Sequence, residues 1–521
     1  MKLLASIKFR IFITSWIIFT AHFATNVVRE HYPAFSLVEH GTLKVDRYQG
    51  FHSDIFVHTD GHSYIDNNVA ASVIAAIPLY LFHPILDMLE RYEKRKIEKE
   101  GIPETVYRTR HTNSIRLLQS AQQNGLSLRF GGATMVTSIF LMAPLSALMM
   151  VLMFHILSKR QLPSRQAIGL TFLFGFGTPV FFRTGVLNHN MLLMYATFGA
   201  FYLLWVRPEM AFPVSVRRRL FAGCLCGLGL ALDYSGVVPL VVLYGYLIVN
   251  RLGTASLKTS AKESIPFILG SIPPVLFLLY SQWSMFGNPF LPAQYWMPDV
   301  THYAVTRKNP YSGQGFRGFT WPTLRMYFSN LFDPSYGMYI YGPLLIMAMI
   351  PSRLYRRDKL ILPRPERRLT AIYLFLFLTF CAANQYSRLQ SNSGFRYMVP
   401  LVPLIYLAVC DHLVRIPRRW LTIVVVPILL HSWVISMVRE PVFESWHRVL
   451  TEGLQLPWLN VLRATLPENY PIVSSPLLPV ILISLMFMLV FSIWTFGHKC
   501  EMRIESSQQV RTTESVNDVD R

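Results

Sequence analysis

Carboxylate and imidazole side chains crowd into one short stretch that directly follows the first apolar run of the sequence. A carboxyl group at a membrane–water boundary is partly desolvated, which raises its pKa and suits it to proton abstraction. Glu30 is the first acid after the run, with Arg29 beside it, and Asp66 is the last acid of the stretch. Its position therefore makes Glu30 a candidate for proton abstraction. The stretch contains Glu30, His31, Glu39, His40, Asp46, His52, Asp54, His58, Asp60, His62 and Asp66.

Each of these two acids also has an ordinary structural interpretation. Arg29 and Glu30 can form an interfacial ion pair that sets the depth of the first helix. Asp66 can cap the apolar helix that follows it, a role compatible with ligand binding at that helix end. The histidines and aspartates match no compact zinc-ligand spacing, so a divalent metal is the only cofactor left open, with its ligands unknown.

Cationic and amide side chains recur where apolar runs meet polar loops. "FFRTGVLNHN" (residues 181–190) and "NSGFRYMVPLVP" (residues 392–403) each place an arginine at such a junction, and "NPYSGQGFRGFTWP" (residues 309–322) carries a third. A guanidinium group at this depth can bind a lipid phosphate or can merely snorkel toward the surface. The candidate substrate- or lipid-phosphate-binding residues are Arg29, Arg183, Asn188, His189, Arg317, Arg396 and Tyr397.

The composition is that of a membrane protein. Of 521 residues, 52% are hydrophobic and only 15% are charged, whereas soluble domains usually contain about 25% charged residues. The net charge of +20 lies mostly in short tracts between apolar runs, which is how membrane proteins fix their orientation and which argues against a nucleic-acid partner.

Charge parity predicts the topology. If the run 69–88 crosses the membrane, three basic tracts fall outside; if it does not cross, the positive-inside rule holds for all of them. We therefore expect an all-α polytopic membrane protein with about 12 transmembrane helices (11–13). Both termini are then cytoplasmic, and a long first extracytoplasmic loop (29–130) carries a non-crossing interfacial helix. The candidate runs are 9–28, 69–88, 131–157, 167–183, 190–206, 219–236, 237–250, 266–286, 338–351, 369–383, 397–414, 420–437 and 475–497.

Several ordered motifs resemble a known family of membrane enzymes. An acid directly after the first span opens a long outer loop with "GHSYIDNNVAAS" (residues 61–72), and "GTPVFFRTGVLNHN", "FGNP", "DPSYGMYIYGPLLI" and "SGFRYMVPLVP" follow in order. This arrangement resembles the GT-C superfamily of glycosyltransferases that use polyprenyl-phosphate sugars, which includes protein mannosyltransferases and aminoarabinose transferases. The loop motif lacks the Lys and Pro-Gly of its relatives, and Arg29-Glu30 stands where they have two acids.

The resemblance implies transfer of a sugar from a polyprenyl-phosphate donor to a hydroxyl of a glycan, lipid or protein acceptor, at the outer face of the inner (cytoplasmic) membrane. Glu30 would be the general base, and Asp66 is the second candidate catalytic residue. Arg183 and Arg396, with His189, would hold the departing phosphate. Residues 1–437 would form the catalytic module, 438–497 an outer loop and the last span, and 498–521 a disordered cytoplasmic tail. The alternatives are a transporter, a flippase, a glycan polymerase or ligase, and an inactive relative.

Overall fold

The chain folds almost entirely into helices. A computed structural model describes residues 2–103, 105, 112–160, 162–205, 214–252, 256–297, 314–316, 318–351, 360–465 and 471–519. Helix accounts for 76% of the structure, which confirms the all-α class of membrane protein. The α-helices are α1 (Lys2–Ala5), α2 (Ile7–Ala21), α3 (His31–His40), α4 (Ala70–Glu100), α5 (Thr112–Gln123), α6 (Ser127–Thr137), α7 (Ala143–Lys159), α8 (Ser164–Phe176), α9 (Pro179–Thr184), α10 (His189–Leu204), α11 (Val216–Leu232), α12 (Val237–Leu252), α13 (Leu257–Phe286), α14 (Ala293–Trp296), α15 (Leu324–Phe332), α16 (Met338–Tyr341), α17 (Arg364–Ala383), α18 (Val402–Leu413), α19 (Arg418–Val438), α20 (Val442–Glu452), α21 (Pro457–Thr465), α22 (Pro471–Ser474) and α23 (Leu477–Val519).

Several of these helices are long and apolar enough to cross a membrane. By length and composition five described segments qualify, at Ala70–Glu100, Ser127–Lys159, Leu257–Phe286, Arg418–Val438 and Leu477–Met502. Shorter apolar helices cover Tyr234–Val249 and Val399–Leu413. The number of about 12 spans stays a prediction.

Two apolar runs are less regular than a membrane span. The run 9–28 is α-helical only to Ala21, and the chain then continues irregularly toward Glu30. The run 338–351 is the short helix α16 followed by a 3₁₀ segment, Pro343–Met349. Gly342 and Pro343 separate the two pieces, because proline cannot supply the N–H that would continue the helical ladder.

Close helix packing is made possible by small residues. A Cβ atom at Gly223 of α11 would collide with the backbone of Phe267, and one at Gly270 of α13 would collide with the backbone of Leu220. Small residues at such contacts let membrane helices approach closely enough for extensive van der Waals contact. These glycines therefore fix the distance between α11 and α13.

Helix α4 contains most of the run 69–88, which was predicted not to cross the membrane, and it lies antiparallel to α6. Next to its amino end, Asn68 donates to the carbonyl of Leu230, close to the end of α11. Toward its carboxyl end, Glu93 accepts the backbone N–H of Leu128, at the start of α6. Helices α6 and α7 are continuous through a π-helical turn, and near their far end His155 bonds to Lys8 at 3.2 Å.

A buried cluster of charges joins three of these helices. Arg129 of α6 is 1% exposed and contacts Glu39 of α3 at 2.5 Å. The same guanidinium group contacts Asp87 at 2.5 Å and Glu90 at 3.0 Å, both on α4. This network ties the loop elements to the helix that begins at Ser127.

We expect Arg129→Met to lower the free energy of unfolding by about 3 kcal/mol, because Glu39 and Glu90 lose their buried cation and keep only the more exposed Arg47 and Lys94. Thermal melting of the purified protein in detergent measures this loss. Arg91→Met, on the exposed side of α4, is the matched control and should change stability by less than about 0.5 kcal/mol. Equal melting temperatures for the two variants would contradict the prediction.

The carboxyl-terminal segment differs from the sequence prediction. Residues 498–521 were expected to be disordered, whereas the backbone of α23 is helical as far as Val519. The segment contains neither proline nor glycine, so nothing in its sequence breaks the helix begun by the apolar run before it.

Candidate functional site

A β-hairpin positions two carboxylates of the first loop. Strands β1 (Ile55–Val57) and β2 (Ser63–Ile65) pair antiparallel, with Ile55 opposite Ile65. The next pair in this register is Asp54 and Asp66, whose backbones are joined by a bond from the Asp66 N–H to the Asp54 carbonyl at 3.0 Å. The open end of the hairpin therefore holds both carboxyl groups side by side.

Arg29 is shared by these two carboxylates. Its Nη1 lies 3.0 Å from Asp54 Oδ2 and 3.5 Å from Asp66 Oδ1, while its Nε lies 3.6 Å from Glu30 Oε1. The predicted Arg29–Glu30 pair is thus present, but the closest carboxylate to Arg29 is Asp54, 25 residues further along the chain.

Glu30 forms its shortest contact with an imidazole. His189 Nδ1 donates to Glu30 Oε1 at 2.5 Å, and His189 Nε2 lies 3.3 Å from Asp233 Oδ2. Asn67 adds a longer bond to the same Oε1, at 3.5 Å. Glu30 is 4% exposed and His189 1% exposed, so a carboxylate–imidazole–carboxylate chain crosses the protein interior.

The sequence explains why His189 points to this place. Asn188 is the N-cap of α10, and its side-chain oxygen accepts the backbone N–H groups of Asn190 and Met191. His189 is therefore the first residue of a helix whose start is fixed. Asn188 also lines the site, as the sequence predicted. Because its side-chain oxygen caps α10, it fixes the position of His189 as well.

Three arginines form the cationic part of the site. Arg183 Nη1 donates to the Ser393 carbonyl at 2.9 Å, and Arg396 Nη2 donates to the Tyr397 hydroxyl at 3.3 Å. Arg439 donates to the Phe182 carbonyl at 2.6 Å, and its guanidinium lies over the Phe182 ring. Arg396 and Arg439 are both close enough to Arg183 to act on it electrostatically.

The acidic neighbours of this cluster are Glu30, which acts electrostatically on Arg183, and the buried Glu440, which lines the same cavity next to Arg439. None of the three arginines has an ion pair among the residues that the structure describes. Arg183 is 5% exposed, and the Nε atoms of Arg183 and Arg396 are buried without a hydrogen-bond partner. Buried guanidinium groups normally find an anion, so an anionic ligand is the natural partner of this cluster.

Arg439 joins the cluster in an unfavourable backbone conformation. Arg439 has a φ of 63°, in the left-handed region that residues other than glycine rarely adopt. A Cβ atom at Gly185 would lie 2.7 Å from the Arg439 guanidinium, so the glycine leaves room for it. Burial lowers the pKa of Arg439 to about 10.

All of these groups line one cavity of about 1910 Å³. The cavity brings together eight of the nine residues proposed from the sequence; Arg317 lies outside the described residues. The eight are Arg29, Glu30, Asp66, Arg183, Asn188, His189, Arg396 and Tyr397.

The two candidate catalytic carboxyl groups have opposite environments. Burial by itself would raise the pKa of Glu30, but the hydrogen bond and charge of His189, with the charge of Arg29, lower that pKa well below its ordinary value. Burial and the neighbouring Asp54 raise the pKa of Asp66 well above its ordinary value, with Arg29 opposing them.

The acidic side of the cavity does not fit a metal ion. Across the described part of the chain, no group of three or more His, Cys, Asp or Glu side chains is arranged to hold one. Arg29 contacts both Asp54 and Asp66, in the place between them that a divalent cation would need.

Three residues of the site were not singled out as functional by their sequence. Asp54 directly precedes strand β1, Asp233 lies near the end of the apolar run 219–236, and Arg439 follows the run 420–437. The position of Arg439 relative to its run is the same as that of Glu30, so the rule that selected Glu30 also selects Arg439. The contact of Asp233 with His189 has no sequence signal.

Comparisons with protein-family models, curated proteins and solved structures give no match to this chain. The resemblance to GT-C glycosyltransferases therefore stays a prediction that rests on the motifs quoted above.

Proposed function

We propose that this protein is a membrane glycosyltransferase that moves a sugar from a polyprenyl-phosphate donor to an acceptor hydroxyl. The observation that carries the proposal is the shared cavity: buried carboxylates line the same space as three arginines that form no ion pair with a described residue. Sugar transfer from a phosphate requires this combination, a proton acceptor together with a cationic site for the departing group.

The donor's lipid phosphate would bind to Arg183, Arg396 and Arg439. As the bond between the sugar and the phosphate breaks, negative charge develops on the departing phosphate oxygen, and guanidinium groups held in place stabilise that charge. Tyr397 orients the Arg396 guanidinium through its hydroxyl.

The donor's prenyl chain would find apolar surface in the same cavity. Part of its wall comes from α4, α5, α6 and α21, with side chains such as Leu89, Leu117, Met135 and Val461. An amphiphile with an anionic head matches a cavity that combines a cationic cluster with such a wall.

We further propose that the site faces outward from the inner (cytoplasmic) membrane, with both termini in the cytoplasm. This orientation requires α4 not to cross. Helix α4 is itself long and apolar enough to cross, so this part of the proposal rests on the basic tracts of the sequence, which fall on the cytoplasmic side when α4 does not cross.

The transporter alternative expects charged groups in the middle of spans. Asp233 instead ends α11 and joins the cavity through His189. Asp411 accepts the backbone N–H groups of Ile361 and Leu362 and pairs with Arg367, a structural role.

The test is a donor screen with membranes that contain the full chain. Radiolabelled polyprenyl-phosphate sugars are supplied, and transfer to membrane acceptors is compared with that of membranes lacking the protein. We expect one donor to give labelled product that depends on the protein. No protein-dependent product with any donor would contradict the proposal.

A further inference from the structure

The two candidate carboxylates are held in ways that suit them to different tasks. Glu30 Oε1 takes the contacts from His189, Asn67 and Arg29. His189 is itself placed between Glu30 and Asp233, at 2.5 and 3.3 Å. Its Nε2 also lies 3.0 Å from the side-chain amide of Asn190, whose oxygen is buried without a partner and accepts the Nε2 proton when the amide is turned over. An imidazole between two carboxylates is favoured in its protonated form, in which both ring nitrogens donate.

Asp66 has far weaker support for a negative charge. The contact that the structure gives its carboxylate is with Arg29 Nη1 at 3.5 Å, and the same nitrogen lies closer to Asp54, at 3.0 Å. Asp54 has additional donors, since the Ser53 hydroxyl bonds to it at 3.1 Å. Two adjacent carboxylates that share one cation are not both ionised at low cost, and Asp66 is the less compensated of the two.

We propose that Asp66 is the proton acceptor of the transfer, and that Glu30 is a fixed anion held by the His189 imidazolium, with Asp233 as the positioning residue for His189. This division of roles rests on the proposed function and replaces the expectation that Glu30 is the base.

In the proposed step, one sugar is transferred and one proton is released. The acceptor hydroxyl oxygen forms a bond to the anomeric carbon, and the bond from that carbon to the donor phosphate oxygen breaks. The electron pair of the broken bond leaves with the phosphate, and the hydroxyl proton passes to the Asp66 carboxylate. The protonated Asp66 then returns the proton to water. The Glu30 carboxylate stabilises the positive charge that develops on the sugar ring.

Several other charged groups set the titration of these two acids. Asp66 faces Asp54, Arg29, Glu30 and Arg396. Glu30 faces His189 and Arg29, and it acts electrostatically on His31 and His52. Arg183 is also within electrostatic range of Glu30.

Infrared titration of the full chain in lipid nanodiscs tests the assignment without any substrate. The carboxylic-acid C=O band is followed against pH in the wild type, Asp66→Asn and Glu30→Gln. We expect one carboxyl group that stays protonated well above the ordinary pKa of aspartate in the wild type and Glu30→Gln and is lost in Asp66→Asn. Its loss in Glu30→Gln, with retention in Asp66→Asn, would overturn the proposal. Other buried carboxyl groups, such as Glu93 and Glu366, are common to all three proteins and cancel in the difference spectra.

Asp54→Asn tests the same assignment with the Asp66 side chain intact, so its result does not depend on whether Asp66→Asn folds. Removing the neighbouring carboxylate should move the titration of the same band to lower pH, while an unchanged midpoint would count against Asp66. Asp233→Asn tests the positioning role: with a weaker imidazolium, Glu30 should add a second protonated carboxyl at mildly acidic pH, an effect that a merely structural Asp233 would not produce.

The transfer assay then separates this assignment from the function. Activity should fall as pH falls through the titration of Asp66, because the acceptor must be unprotonated, and Asp54→Asn should move that acidic limb to lower pH. If no donor is turned over, the proposed function fails while the infrared assignment still stands or falls by itself. If Asp54→Asn leaves the acidic limb of the pH–activity profile unchanged, the role of Asp66 is overturned.

Discussion

Replacing Glu30 by glutamine should lower the rate of sugar transfer roughly 10²- to 10³-fold, the usual loss when an electrostatic stabiliser of a transition state is removed. Glutamine keeps the shape of the side chain but leaves His189 without the anion that it contacts at 2.5 Å. In the proposed step, the lost charge also stabilises the positive charge that develops on the sugar ring. The kcat of the purified variant with the donor found in the screen measures this effect.

Glu98→Gln is the matched control, because Glu98 lies exposed near the end of α4. It should transfer sugar at the wild-type rate. A Glu30→Gln variant with wild-type kcat and an unchanged melting temperature would show that Glu30 is not part of the reaction.

Replacing Arg183 by methionine should weaken binding of a polyprenyl phosphate by about 2 kcal/mol, or about thirtyfold in Kd, since one charge-assisted hydrogen bond to phosphate is lost. Methionine keeps the contact with Phe182, over which the Arg183 guanidinium lies at 5.3 Å. Inhibition of transfer by a short-chain polyprenyl phosphate measures the affinity, and the corresponding uncharged polyprenol provides the phosphate-free comparison.

The same substitution should leave the free protein as stable as before or more stable, because Arg183 lies buried beside two other arginines. Weaker binding of polyprenyl phosphate together with unchanged or higher stability distinguishes a ligand-binding residue from a structural one. Arg165→Met, at an exposed position of α8, is the control. Loss of stability in Arg183→Met, with unchanged affinity for the lipid phosphate, would contradict the assignment.

The sequence located most of the site because polar residues at the ends of apolar runs are constrained in depth. Glu30, Arg183 and Arg396 were selected by that rule, and all three line the cavity. A common depth brings such residues toward one surface of the bundle, although they are hundreds of positions apart in the chain.

Sequence patterns could not predict which residues of the site contact each other. His189 was grouped with Arg183 because they share one polar turn, whereas the structure joins it to Glu30, 159 residues away. Arg29 looked like the partner of its neighbour Glu30, yet it lies nearest to Asp54. Such contacts depend on which helices pack together, and no periodicity records that.

The hairpin that holds Asp54 and Asp66 is a different case. Its turn contains Asp60-Gly61 between apolar residues, a recognised hairpin signal. The many charged residues around it obscured three-residue strands, which are too short to give a clear alternation. Had the hairpin been identified, its register would have paired Asp54 with Asp66.

The most direct test of the central claim is a stoichiometry measured with the purified protein in proteoliposomes. The donor carries one label in the sugar and another in the prenyl chain, and both products are counted. Sugar transfer predicts one polyprenyl phosphate released for each sugar joined to the acceptor, with both products reduced together in Glu30→Gln. Movement of intact donor between the leaflets, with neither product formed, would contradict the account and favour a flippase.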